Sequence, residues 1–575
     1  MTSVAAAVAN ADVGAAVDVR ERMTIKKSIV RLIMLIIVSG LLLAACANTN
    51  GDADSHGKSD AEGAAAPLEI SVFAQQEMGI DLETNSFTKL MEDRFNVKFN
   101  WEINSGEGAK EQRQISLAGG DYPDAYWLTA YIDQFSQADL LKYGKQGVIL
   151  PLNGLIDQYA PNIKAAMESN PALKALNTAP DGQIYGLGAY TECFHCSYPN
   201  KMWINTKWLA ELGLKLPKTT AEFKQVLEAF KNNDPNGNGI QDEVALSGST
   251  EDFGVRIVPY LMNGFIYHDD SSYLRMSALK VDTVVNKPEW KEGLAYIKSL
   301  YDEGLIDPGA FTQNAEMLKR IGDNADEVLL GAAAGMHPDI FVDARTADYA
   351  PLPPLEGPYA AYATHDGSGV SPGAKFAITN KAGKEKQIAL IRMVDYMYTP
   401  DGQTISQSGI EGTGWRKPEA GEAALGEGVE PKYAFIPNEE GSYGPNSGWS
   451  GMAHFYMPRE YRDSWVASKD IYSDTGYERR LYEATELYKG HEPAELFPFW
   501  AVWIAPGEAD EAGMLQTNLK NYIDQSTLQF ITGNLDLNKD WDSYVQGLKH
   551  LQIDRYVEIM QRAYDNEAGL AVNNR

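Results

Sequence analysis

Apolar positions along this chain recur with two periods, and the two alternate from its first third to its end. "PLEISVFAQQ" (67–76) is a short run rich in β-branched and apolar residues and predicts a strand. "NSFTKLMEDRFNVKFNWEIN" (85–104) follows, with Phe87, Leu90, Met91 and Phe95 at helical spacing and then a second strand. "YPDAYWLT" (122–129), bounded by Gly119-Gly120-Asp121, predicts another strand, and "IDQFSQADLLKYG" a helix. Further on, "KMWINTKWLAELGL" (201–214) is a strand entering a helix. "TTAEFKQVLEAFKNN" (219–233) is amphipathic, with Thr219 or Thr220 as N-cap and Phe223, Val226, Leu227 and Phe230 as its buried stripe. "PEWKEGLAYIKSLYDEGLIDP" repeats the pattern through Trp290, Leu294, Ile297 and Tyr301, and two more long helical segments begin at Gly383 and Trp541. Strands alternating with helices predict an α/β body with helices on both faces of its sheets. Residues 416–480, rich in Gly, Glu, Pro, Tyr and Trp with weak periodicity, predict a loop-dominated insertion.

The amino terminus changes the picture of where the chain works. Met23-Thr24-Ile25-Lys26-Lys27 precedes a nearly unbroken apolar run, Ile29 to Ala45, that ends in Leu43-Ala44-Ala45-Cys46. A basic region, a short apolar core and small residues at the end describe a secretory signal rather than a membrane span. Leu-Ala-Ala-Cys also matches the bacterial lipobox, which makes Cys46 a lipidated mature N-terminus on the outer face of the cell membrane. Residues 46–67 then form a flexible Ala/Gly/Asp/Ser tether, and translation is expected to start at Met23. Loss of residues 1–45 removes five basic and three acidic side chains, so the net charge of −29 becomes −31. That charge argues against nucleic acid and anionic lipid as partners, leaving the lipid as the membrane contact. The remaining length exceeds one core and predicts two lobes.

"DPNGNGIQDE" concentrates oxygen and turn chemistry. With Asp234 at position one, Asn236 and Asn238 stand at three and five, Gly239 at six, the Ile240 carbonyl at seven, Asp242 at nine and Glu243 at ten. A hard Ca²⁺ ion takes six to eight such oxygens. The loop departs from an EF-hand at position twelve, where Ala245 replaces the bidentate glutamate, and in the strand-like "EVALSGS" that replaces an exiting helix. It is expected to be a calcium staple between a helix and a strand, with a metal-free Asn-Gly turn as the alternative. Cys193-Phe194-His195-Cys196 lacks the second ligand pair that structural zinc needs, which leaves a local disulfide or two unreacting thiols.

"PLNGLIDQYAPNIKAAMESNPALKALNTAPDGQIYGLG" and "KMWINTKWLAELGLKLPKTTAEF" resemble the extracellular solute-binding protein family 1 of ABC importers, in particular its large lipoprotein branch with the alginate-oligosaccharide-binding proteins. "LYDEGLIDP", "SGIEGTGW", "QFITGN" and "WDSYVQGLKHLQIDRYVEIMQRAY" carry the same resemblance. It implies a two-lobe periplasmic-binding-protein-like fold (type II, a hinged trap), a structural calcium loop, an oligosaccharide ligand, permease partners and a monomer. The N-lobe would comprise 68–190 and a return over 366–415. The C-lobe would comprise 191–365 and 481–575, with 416–480 as the insertion. Hinges are expected at "IYGLGAY" and "HDGSGVSPG", whose glycines tolerate backbone rotation.

Sugars present apolar C–H faces and hydroxyl edges, so a sugar cleft combines stacking aromatics with polar groups. Trp127 and Tyr131 follow a strand's carboxyl end, where open α/β sheets bind ligands. Tyr190 sits at the first crossover, Trp415 follows the returning segment, and Trp449 lies in "GPNSGWSG", where a large ring is hard to bury. Trp500 and Trp503 flank the "FPFWAVW" turn. Glu411 and Arg416 are the charged candidates, followed by Glu192 and Asp124, whereas Trp203 and Trp208 are assigned to the core. A serine hydrolase would need a nucleophile elbow, and "GSGVSPG" lacks the strand-to-helix context; no H-E-x-x-H occurs. A binding protein rather than an enzyme is expected, with a receptor for a non-sugar solute such as a peptide, and behind it a secreted carbohydrate-active enzyme, as the alternatives.

Overall fold

The computed structural model describes residues 66–566 except 78, 105–107, 325–326, 366–369, 371 and 437–445. The expected leader, Cys46 and almost all of the tether lie outside the described residues. Eight strands build two four-stranded sheets: β1 (Leu68–Gln75), β2 (Val97–Asn104), β3 (Ala125–Trp127), β4 (Met202–Asn205), β5 (Val244–Ser247), β6 (Leu330–Ala334), β7 (Tyr349–Leu352) and β8 (Phe376–Ile378). The first sheet runs β8-β3-β1-β2 and the second β7-β4-β6-β5. In the first, β1 is parallel to β2 and β3, and β8 returns antiparallel to β3. In the second, β6 is parallel to β5 and antiparallel to β4, which is itself antiparallel to β7.

Each sheet is covered on both faces, which is why its strands read as apolar runs. In the N-lobe, Ile70, Val72, Ala74, Ala125, Trp127, Phe376 and Ile378 enter one core, and the alternate residues Phe73, Tyr126 and Ala377 enter the other. In the C-lobe, Met202 and Ile204 point into the main core and Trp203 into a smaller one. The helices follow their sequence signals. Helix Thr220–Asn232 starts on a reciprocal capping box between Thr219 and Glu222 and buries Phe223, Val226, Leu227 and Phe230. The last long helical segment splits into Trp541–His550 and Ile553–Asp565 at Gln552, whose φ of 60° breaks the helix.

The chain crosses between the lobes several times. Leu187 bridges to Phe376, and Tyr190–Thr191 pairs in parallel with Tyr456–Met457. Residues 449–457, assigned from sequence to a loop-dominated insertion, pack Trp449, Met452, Ala453 and Phe455 into the N-lobe core. Residues 481–575, assigned to the C-lobe, also depart from that map. Phe497 and Phe499 lie against the C-lobe core, whereas Trp500 and Ala501 enter one N-lobe core and Trp503 the other.

The glycines of "IYGLGAY" serve close approach. A Cβ on Gly186 would lie 2.7 Å from the Phe376 carbonyl oxygen, and one on Gly188 2.6 Å from that of Gly373. The crossing segments touch backbone to backbone there, and neither glycine has the positive φ that rotation alone would favour.

Two stability predictions follow from this packing. Gly188→Ala should destabilise the ligand-free protein by about 1–3 kcal/mol in urea unfolding, because the crossing segments must separate. His195, His268 and His454 are each pushed down to about 3, in every case by burial first. Their unfolded forms take up protons near pH 6.5, so the stability they contribute is present above that pH and is lost as the pH falls. Unfolding free energy measured at pH 7 and pH 5 should drop by roughly 1.4 kcal/mol per histidine per pH unit below about pH 6.

Candidate functional site

Ligands of open α/β sheets gather outside the carboxyl ends of the strands, and the N-lobe concentrates polar groups there. Gln75 ends β1 and its side-chain oxygen accepts from the Thr129 backbone N–H at 2.6 Å, just past the end of β3. Gln75 Nε2, Thr129 Oγ1 and Glu77 Oε1 are all enclosed and find no hydrogen-bond partner among the described residues. Such groups call for a ligand or ordered water. Tyr131 lies beside them and is 66 % exposed. A Cβ on Gly451 would stand 2.3 Å from the Tyr131 hydroxyl and 2.7 Å from Glu77 Oε1, so an open aromatic ring and a carboxylate share the space over that glycine.

The floor of this edge is a strap. Lys375 immediately precedes β8; its carbonyl accepts from Leu128 N–H at 2.7 Å, and its ammonium donates to the Gly451 carbonyl at 2.7 Å and toward that of His454 at 3.4 Å. The side chain lies 4.7 Å over the Phe455 ring and is fully buried. Burial drives its pKa well below the ordinary lysine value, and nearby Glu77 opposes that shift. The C-lobe repeats the device. Lys201 precedes β4, its carbonyl accepts from Gly335 N–H at 2.9 Å, and its ammonium donates to the carbonyls of His195 and Tyr198. Beside it, Asn200 Oδ1 and His337 Nε2 are enclosed without a partner among the described residues, and Phe253 is largely exposed.

Of the sequence candidates, the structure brings Tyr131 alone to this edge as an open ring. Trp127 and Trp449 are buried in the N-lobe core, their rings 5.0 Å apart edge to face. Trp449 Nε1 donates to Thr88 Oγ1 at 2.8 Å, and Phe87, Phe99 and Trp101 surround the ring. The expectation that a ring in "GPNSGWSG" is hard to bury is therefore overturned, because the glycines admit close backbone rather than exposing the indole. Tyr190 is buried and donates to Glu192 at 2.8 Å; Glu192 also accepts from Arg459 N–H, and so holds the strap to the first crossover. Trp500 packs on Tyr190, and Trp503 donates to the Ala175 carbonyl at 3.1 Å, so both dock this segment onto the N-lobe.

Trp415 donates to the Gly409 carbonyl at 3.0 Å beneath Tyr433. Arg416 grips Glu422 through both oxygens, at 2.7 and 2.9 Å, and exposed Glu411 faces Lys417 at 3.6 Å. The partners named for those three all lie within residues 409–433. Asp124 is corrected outright: it precedes β3, at the amino end of the strand, where it binds Ser71 and Lys386. Glu77, Gln75, Thr129, Lys375 and His454 were missed, although "FAQQEMG" shows polar residues clustering just past a strand, which is the available signal.

The loop expected from sequence to hold calcium joins helix Thr220–Asn232 to β5. Asp234 accepts from the N–H groups of Asn238 and Gly239 at 3.1 and 2.9 Å, and Asn238 Oδ1 accepts from Ile240 N–H at 2.7 Å. Asp242 is met by the amides of Asn236 and Asn238. Glu243 is the informative residue, because both its carboxylate oxygens are enclosed and without a partner among the described residues. Desolvation first, then Asp234 and Asp242, raise its pKa. A shielded carboxylate beside two others fits a hard cation. Cys193 and Cys196 form a disulfide, with Cys196 N–H donating to Cys193 Sγ at 3.2 Å.

Two lobes, each with ligand-ready strand ends, define a hinged binding protein, and the comparisons agree. Residues 81–404 match the family model of bacterial extracellular solute-binding proteins, and the chain belongs to that family. It is 28 % identical over 489 residues to the fructooligosaccharide ABC transporter substrate-binding protein FusA of Streptococcus pneumoniae, covering 83 % of this chain and 86 % of FusA. The solved structure of FusA in complex with kestose superposes with a TM-score of 0.68 at 25 % identity, over 86 % of this chain and 99 % of FusA. A solute-binding protein of Bifidobacterium longum infantis, described as binding HMO, shares the fold with a TM-score of 0.72 at 20 % identity, over 87 % of this chain and 99 % of that one. No helix among the described residues is long and apolar enough to cross a membrane.

Alanine substitutions separate core rings from ligand rings. Trp449→Ala should cost about 3–5 kcal/mol of ligand-free stability in urea unfolding, whereas Tyr131→Ala should cost less than about 0.5 kcal/mol.

Proposed function

We propose that this chain is a lipid-anchored receptor that captures an oligosaccharide between its two lobes and delivers it to an ABC importer without cleaving it. The observation that carries this is the Tyr131 ring, open to solvent beside Glu77, with the enclosed polar atoms of Gln75 and Thr129 at the same strand ends. An aromatic plate takes the C–H face of a sugar while the carboxylate, amide and hydroxyl take its edge. The similarity to FusA over most of both chains supports a carbohydrate ligand. Lobe closure follows from contacts made only when both strand edges touch the glycan, which shifts the population toward the closed form. The lobes would comprise 68–190 with 366–415, and 191–365 with 481–575, modified by the 449–457 strap and the 500–503 anchor on the N-lobe. Lipidation at Cys46 would place the receptor on the outer face of the cell membrane as a monomer.

Asp234, Asn236, Asn238, the Ile240 carbonyl, Asp242 and Glu243 would hold a structural Ca²⁺ ion. The ion would neutralise three clustered carboxylates and fix the helix-to-strand connection that feeds β5.

The test is thermal unfolding of residues 47–575 against a panel of oligosaccharides and peptides, with calcium and with EDTA. A glycan at 100 times its Kd should stabilise by about 2.7 kcal/mol, and the sugar should be recovered intact. EDTA should lower the melting temperature, and Glu243→Gln should abolish that calcium dependence. A shift with peptides alone would replace the carbohydrate assignment.

A further inference from the structure

We infer that Glu77 sets the charge class of the ligand, so that the N-lobe edge accepts a neutral glycan and excludes chains of uronic acids. This rests on the receptor assignment above and narrows it. Glu77 Oε1 is enclosed, lacks a partner among the described residues, and sits with the Tyr131 hydroxyl over the bare Cα of Gly451. An ionised carboxylate is an acceptor only, so what it needs from a ligand is hydroxyl donors, and such charge-assisted bonds are the strong ones. Gln75 Nε2 is a second enclosed group without a partner and offers a donor, while Thr129 Oγ1 can serve in either sense. A polyol entering beside Tyr131 would offer hydroxyl donors to the carboxylate and hydroxyl acceptors to the amide.

A uronate would bring a second negative charge to a partly desolvated carboxylate, and like charges so placed disfavour the bound state strongly. Relief would require a cation that reaches the ligand, and the basic side chains described nearest this edge are directed into the protein. The Lys375 ammonium is held by the Gly451 and His454 carbonyls. Arg113 grips Asp133 with two bonds, at 2.7 and 2.9 Å, and its Nη1, which makes no hydrogen bond among the described residues, has Asp139 at 3.6 Å. In the helix Arg459–Asp463 that follows the strap, Arg459 pairs with Asp463 at 3.1 Å and Arg462 with Glu478 at 2.8 Å. The net charge of −29 adds a weak long-range repulsion of the same sign.

The experiment is titration calorimetry of residues 47–575 with calcium, at pH 7 and about 0.15 M salt. The probes are kestose, nystose and a neutral milk tetrasaccharide on one side, and oligogalacturonates and oligomannuronates of matched length on the other. At least one neutral glycan should bind, and the uronates should bind about 100-fold more weakly or not at all. Glu77→Gln should weaken the neutral glycan about 10- to 100-fold while the ligand-free protein still unfolds in one cooperative transition. If Glu77→Gln does not fold, Glu77→Asp is read the same way, since it withdraws the carboxylate by one methylene. Uronates bound as tightly as neutral glycans, or a folded Glu77 variant with full affinity for the neutral glycan, would overturn the inference and leave the receptor assignment standing. A folded wild type that binds neither class would overturn that assignment, and this inference with it.

Discussion

A buried ammonium at the end of each sheet is the constraint on which the binding edges depend. Lys375 has no side-chain exposure and no carboxylate at ion-pair distance among the described residues; its charge is met by main-chain carbonyls of the strap that crosses the N-lobe edge. Enclosing a charge without partners costs several kcal/mol, so the strap and the lysine hold each other in place. Lys201 does the same for the disulfide segment 193–198 in the C-lobe. In both lobes the lysine opens the antiparallel strand that lies beside the carboxyl end of a parallel one. The lysine that leads into each of these strands therefore also holds the segment that lies beside that strand's start.

The fixed strap explains why the edge carries enclosed polar atoms without local partners. Gly451 lacks a Cβ, and that absence leaves room for Tyr131 and Glu77 over its Cα. Behind it, the edge-to-face cluster of Trp127, Trp449, Phe87 and Phe455 forms a rigid wall. Rigid support lets a site keep groups in the geometry a ligand needs before the ligand arrives. In the other lobe the carboxylates of Asp234, Asp242 and Glu243 cluster just before β5.

The alternation of strands and helices was legible because burial on both faces of a sheet leaves apolar runs, as in "EISVFA" and "DAYWL". The capping of Thr219 and the stripe Phe223 to Phe230 were legible because they depend on neighbours in sequence. The convergence of Asp234, Asp242 and Glu243 was readable for the same reason: spacing within ten residues fixes which oxygens can meet. The sugar candidates were less so. Whether a tryptophan is core or platform depends on residues hundreds of positions away, such as Thr88 for Trp449 and Ala175 for Trp503. Most of the aromatic candidates were indoles, and the one ring the structure leaves exposed is a tyrosine among them, Tyr131. Glu77 and Lys375 were hidden because their roles come from a strap some 75 or more residues distant on the C-terminal side.

The most direct measurement is a crystal structure of residues 47–575 with calcium and the tightest-binding oligosaccharide. The account predicts a sugar ring stacked on Tyr131, a hydroxyl within hydrogen-bond reach of Glu77, and Trp127 and Trp449 still enclosed in the N-lobe core. Sugar density confined to the Trp415–Arg416 region, with Tyr131 left in solvent, would contradict it.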